Sequence, residues 1–119
     1  MAFRLDGKRA LVMGGTRGIG LGIATMFREA GAAVALTGRK AEDATAAAQS
    51  ISAAAGLALD TGDLQQVDAA HAAAVAALGG GIDILVLNSG GPPPGSAMGV
   101  ASDQWQKQWT AMFVGLVRM

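Results

Sequence analysis

The sequence predicts an α/β fold in which a parallel sheet carries helices on both faces. Three observations predict it. Short apolar runs alternate with longer stretches of helical periodicity, and strands separated by helices pair parallel through crossovers. Hydrophobic residues make up 51% of the chain and charged residues 15%, a balance that suits strands buried on both faces. A glycine-rich bend, Gly14 to Gly20, joins the first strand to the first helix.

The elements follow in order. Arg9-Ala10-Leu11-Val12-Met13 reads as a short buried strand after a turn at Asp6-Gly7. Ile19 to Ala30 reads as a helix, with Ile19, Ile23, Met26 and Phe27 at helical spacing and Gly31 at its C-cap. Ala33 to Thr37 is the second strand, ended by Gly38. Ala41 to Ala55 is an Ala-rich helix closed by Gly56, and Leu57 to Asp60 a short third strand. Asp63 takes the N-cap position of the next helix, with Gln66 at the capping-box position. That helix carries Leu64, Val67, His71, Val75 and Leu78 along one face, and Gly79-Gly80-Gly81 breaks it. Ile82 to Leu87 is the fourth strand. Gly90 to Gly95, with three prolines, is an irregular loop, and Ser102 caps a last helix. No internal repeat or linker interrupts this order, so residues 1–119 read as a single domain.

Composition excludes several classes. The chain has no cysteine and one histidine, His71, which removes disulfide frameworks and the usual zinc clusters and leaves no metal site to expect. His71 reads as structural. Nine basic residues balance nine acidic ones, unlike the footprint of a nucleic-acid binder. The N-terminal residues lack an apolar core of the kind found in signal peptides, and Ile82 to Leu87 is too short to span a bilayer. A cytoplasmic protein that meets neither membrane nor nucleic acid is expected.

The bend carries the chemistry. A pyrophosphate needs backbone N–H donors beside the positive end of a helix. Glycines let the backbone turn tightly and approach phosphates with no Cβ in the way. Gly14, Thr16, Arg17, Gly18, Ile19 and Gly20 are therefore candidate cofactor-binding residues, in the spacing G-x-x-x-G-x-G. This spacing, with Asp63-Leu64 and Asn88-Ser89-Gly90-Gly91 further on, resembles the short-chain dehydrogenase/reductase family, whose word after the fourth strand is Asn-Asn-Ala-Gly. The prolines that follow make it similar to the branch of 3-oxoacyl-carrier-protein reductases. The resemblance runs from Lys8 to Met119. It implies a Rossmann-type sheet in order 3-2-1-4, with Asp63 and Leu64 near the adenine and Asn88 and Gly90 near the adenosine ribose. Two simpler roles stay open: Asp63 as a helix cap and Asn88 as a brace for the turn.

An acid at the end of the second strand would hold the ribose hydroxyls of NAD. Here the chain reads Leu36-Thr37-Gly38-Arg39-Lys40, with no acid before Glu42. Arg39, with Arg17 in the bend, is instead suited to a 2′-phosphate through charge-assisted contacts. NADP(H) is the expected cofactor, as the resemblance also implies.

The family's proton donor is a Tyr, assisted by a Lys four residues later and by a Ser, on the fifth strand and the helix after it. The chain contains no tyrosine, and its three lysines, Lys8, Lys40 and Lys107, stand in other segments. No catalytic residue is assigned within it. The reading is a partial domain that stops before the fifth strand and is inactive alone. The resemblance implies NADPH-dependent carbonyl or 3-oxoacyl reduction for a completed enzyme, with the carbonyl substrate engaged only then. The alternative is a non-catalytic module for nucleotide binding and association. Two departures from the family stand out: Met13 where Thr is usual, and Met112 where an Asn accompanies a helix kink. Methionine there predicts a regular helix. Trp105, Trp109, Met112 and Leu116 form an apolar stripe that reads as core or subunit contact, and a homo-oligomer is expected.

Overall fold

The computed structural model describes residues 3–88 and 102–119, the second stretch only in part for its side chains. Its sheet has four strands: β1 (Arg9–Val12), β2 (Ala33–Gly38), β3 (Ala55–Ala58) and β4 (Ile84–Val86). They lie in the order β3-β2-β1-β4, and every pairing is parallel. The helices are α1 (Gly18–Glu29), α2 (Ala41–Ile51), α3 (Leu64–Leu78), α4 (Ser102–Trp109) and α5 (Gly115–Arg118), with a π-helical turn over Thr110–Val114 between the last two.

Strand alternation sorts the core into two layers. Ala10, Val12, Val34 and Leu36 point to one face, where Ala24 of α1 and Ala44, Ala47 and Ala48 of α2 cover them. Leu11, Met13 and Ala35 point to the other, against Val67, Ala70, Ala74 and Leu78 of α3. The small residues on α1, α2 and α3 let the helices lie close to the sheet. Met13 is fully buried in the second layer with Leu59 and Val67.

Several boundaries differ from the expectations. The second helix ends at Ile51 because Ser52 adopts a left-handed conformation, φ 57°. The chain reverses there, and β3 starts at Ala55 rather than Leu57. Gly56 lies inside β3 rather than closing a helix: a Cβ on it would overlap the carbonyl oxygen of Ala44. β4 is shorter than the apolar run suggested. Asp83 turns back toward β1, its N–H donating to Arg9 O and its Oδ2 accepting from Arg9 N–H, both at 2.8–2.9 Å.

Helix faces differ from the sequence expectation at three positions. The face of α3 that meets the sheet is Val67, Ala70, Ala74 and Leu78, and His71 is exposed. Apolar residue type drew the predicted stripe toward His71 and away from two alanines. On α1 the buried pair is Gly20 and Ala24, whereas Met26 is 57% exposed and Ile19 faces the cleft described below.

The last helix is not regular. The π-helical turn centres on Met112, so the irregularity forms without the Asn that accompanies it in the family. A wider turn resets the phase of a helix, so the 3.6-residue period behind the apolar stripe fails across it. Trp109 is 54% exposed, and the side chains of Trp105, Met112 and Leu116 lie outside the described residues. Beyond the turn, Arg118 grips Asp68 of α3 with two hydrogen bonds, 3.0 and 2.9 Å. The bond from Arg118 holds the Asp68 carboxyl below its usual range.

Candidate functional site

β1 hands the chain to the bend without a break. Met13 N–H donates to Val86 O at 3.1 Å, and the backbone then turns through left-handed conformations at Gly14, φ 64°, and Gly18, φ 58°. An L side chain rarely adopts either, which is the local reason for glycine there. Two bonds stitch the bend to the end of β2: Gly14 N–H donates to the Thr37 hydroxyl at 3.2 Å and Gly15 N–H to the Thr37 carbonyl at 2.9 Å. From β4, Asn88 Nδ2 donates to Gly14 O at 3.2 Å, so Asn88 braces the turn. Gly20 lies buried beneath, and a Cβ on it would overlap the same Gly14 carbonyl oxygen.

α1 starts at the far side of the bend with its positive end unneutralised. Arg17 is its N-cap residue in extended conformation, makes no side-chain capping bond, and no acid stands in the first turn. The first amide N–H groups of a helix have no intrahelical partner, so this end is electrostatically suited to an anion.

A cleft of about 1100 Å³ opens over these groups, at the C-terminal ends of β1 and β2 and beside Asn88 after β4. Strand order reverses between β1 and β4, and open parallel sheets bind ligands where that reversal parts the loops. Gly14, Thr16, Arg17, Gly18, Ile19, Arg39 and Asn88 all line it. Arg17, Arg39 and Lys40 are exposed and line it together with the acid Asp43, and among the described residues none of the three cations has an ion-pair partner.

Asp63 and Leu64 stand elsewhere, at the start of α3 beyond β3, and do not line the cleft. Asp63 acts there as a cap: its Oδ1 accepts from Gln65 N–H at 3.0 Å and Gln66 N–H at 3.4 Å. Gln66 does not reach back to the Asp63 backbone as a capping box would. Its amide donates to the Asp63 carboxylate and accepts from Asp60 N–H. Gly90 lies outside the described residues. Sequence reasoning missed the wall supplied by α2, where Lys40, Asp43, Ala46, Ala47 and Ser50 line the cleft with Leu21 of α1. Lys40, next to Arg39, was the available signal; the others show only once α2 is docked.

The parallel doubly wound sheet and the bend at its switch point define a Rossmann-type α/β protein. Residues 8–119 match the model of the short chain dehydrogenase family, and the chain belongs to that family. It is 47% identical over 92 residues to the D-threitol dehydrogenase of Mycolicibacterium smegmatis, an alignment covering 74% of this chain and 35% of that one. It is 34% identical over 113 residues to the 3-oxoacyl-(acyl-carrier-protein) reductase of Chlamydia pneumoniae, covering 89% and 44%. Among solved structures, a short chain dehydrogenase of Burkholderia cenocepacia in complex with NADP superimposes with a TM-score of 0.88 at 37% identity, covering 97% of this chain and 49% of that one. The chain thus spans a third to a half of the length of these relatives. Among the described residues no helix is long and apolar enough to cross a membrane.

Proposed function

We propose that residues 1–119 hold NADP(H) as the cofactor-binding half of a carbonyl reductase. The observation that carries this reading is that three cations, Arg17, Arg39 and Lys40, line one cleft with the uncapped start of α1. A dinucleotide with a 2′-phosphate needs both: amide donors and a positive helix end for the pyrophosphate, and guanidinium groups for the extra dianion. The bend suits that group: Gly14 and Gly18, both in left-handed conformations, line the cleft with no Cβ in the way of a phosphate. Gly14, Thr16, Arg17, Gly18, Ile19 and Gly20 then form the pyrophosphate cradle, and Arg39 with Arg17 takes the 2′-phosphate. Asn88 shapes the floor, with Asp63, Leu64 and Gly90 assigned to the adenosine end by family resemblance. The NADP complex of the Burkholderia protein supports the choice of cofactor.

NADPH would supply the hydride. The 119 residues contain no tyrosine to give a proton to a carbonyl oxygen, and by themselves they bind without turnover. The substrate of the complete enzyme is a carbonyl compound, and 3-oxoacyl reduction is the reaction that the resemblance favours.

Calorimetric titration of both cofactors tests the reading. NADP(H) is expected to bind more tightly than NAD(H), and Arg39→Ala to reduce that preference about tenfold or more, the effect of losing one charge-assisted contact. Equal affinities, or a preference untouched by Arg39→Ala, would overturn it.

A further inference from the structure

Gly38 is the last residue of β2, and nothing in its backbone calls for glycine. It is not among the left-handed residues, and it sits in regular register opposite Ala58. Space is what it provides. A Cβ built at position 38 would lie well inside contact with the γ-methyl of Thr16, while the Cβ and hydroxyl of Thr16 would stand at 3.5 and 3.6 Å, ordinary contacts. Thr16 belongs to the bend and Gly38 to the neighbouring strand, so the two meet only in the fold.

The bend has little room to yield. Gly14 and Gly15 are tied to Thr37, the residue next to Gly38, and Gly14 is held again by Asn88. Rotating Thr16 exchanges the methyl for the hydroxyl in one staggered well and clears the space only in another, and β-branched side chains are stiff at this torsion. Position 38 is also where an acid gripping the ribose hydroxyls would stand in an NAD-binding domain of this architecture.

We infer that Thr16 is a specificity-determining residue: its γ-methyl reserves the space beside Gly38, keeps the end of β2 free of a side chain, and so leaves the ribose 2′ position to Arg39 and Arg17. The inference rests on the NADP(H) reading above. It adds that cofactor choice is set by a steric pair across two elements as well as by the charge on Arg39.

A double-mutant cycle on the whole chain tests it. Gly38→Ala is expected to lower the melting temperature by roughly 5–15 °C beside Thr16, the cost of overpacking in a domain of this size, and by less than half of that beside Thr16→Ser, which removes the methyl and keeps the hydroxyl. Gly38→Asp alone is expected to lose NADP(H) affinity at least tenfold without gaining NAD(H), and the Thr16→Ser/Gly38→Asp pair to bind NAD(H) about tenfold more tightly than Gly38→Asp. Additive melting shifts, or Gly38→Asp alone acquiring NAD(H), would overturn the inference. Coupled melts with no change in cofactor affinity would overturn its specificity claim. Should the Asp variants fail to fold, the alanine pair still decides the steric claim. Failure of the underlying reading shows separately, as an unsubstituted chain with no preference for NADP(H).

Discussion

Single residues in the bend differ sharply in what they tolerate, and α1 contains its own control. Gly20 and Gly22 are two residues apart in one helix. A Cβ on Gly20 would meet the Gly14 carbonyl, whereas a Cβ on Gly22 meets nothing within 4 Å. Gly22→Ala should therefore raise stability by up to about 1 kcal/mol, the helix-propensity gain of Ala over Gly. Gly20→Ala should lower it by about 1–3 kcal/mol or more, because the atom that must move is backbone. Thermal melts of the two variants should shift in opposite directions, and NADPH affinity should fall only in the second. Both changes in the same direction would mean that the bend is not packed as described.

At the scale of elements, Asp63 separates two roles that the sequence left open. Its carboxylate caps α3, and Asp63→Ala should cost about 1 kcal/mol, a fall of roughly 4–8 °C in melting temperature for a domain of this size. Asparagine caps nearly as well, so Asp63→Asn should restore the melt. Nucleotide affinity then reports the second role. If the carboxylate also contacts adenine, Asp63→Asn keeps a weakened affinity at normal stability; if it is only a cap, affinity returns with the melt. The π-helical turn between α4 and α5 teaches a related lesson about elements. Met112 favours a regular helix on propensity alone, yet the wider turn forms. Beyond it, Arg118 pairs with Asp68 and Met119 packs against both α3-side core clusters.

At the scale of the molecule, the sheet ends at β4 among the described residues, and β4 pairs with β1 on one side. Ile84 and Val86 point into the layer of α1 and α2, but Leu85 and Leu87 on the opposite face are 39% and 48% exposed. With Trp109 also outward, these residues carry the expectation of association. The 119-residue chain should form a homodimer, pair with a complementary C-terminal segment, or aggregate. Light scattering at micromolar concentration checks this, and a monodisperse 11.8 kDa species with a cooperative melt would contradict it.

Much of this architecture is legible in residue type alone. The alternation of Ala10, Val12 with Leu11, Met13 and of Val34, Leu36 with Ala35 already belongs to strands buried on both sides, and such strands joined by helices have few ways to assemble. The glycine spacing marked the bend with Thr16 and Arg17 in it, the missing acid after the second strand pointed to Arg39, and the family resemblance to Asn88; all four line the cleft. What lay beyond reach depended on neighbours distant in sequence. Ser52 ends α2 in a left-handed turn that no glycine announces, His71 lies outside a face whose limits are set by the sheet, and the wall of Ala46, Ala47 and Ser50 exists only once α2 is laid against β2. The sequence by itself determined the class of fold and the bend. Tertiary structure alone decided that Thr16 and Gly38 share one space, because steric exclusion acts between atoms that only the packed sheet brings together.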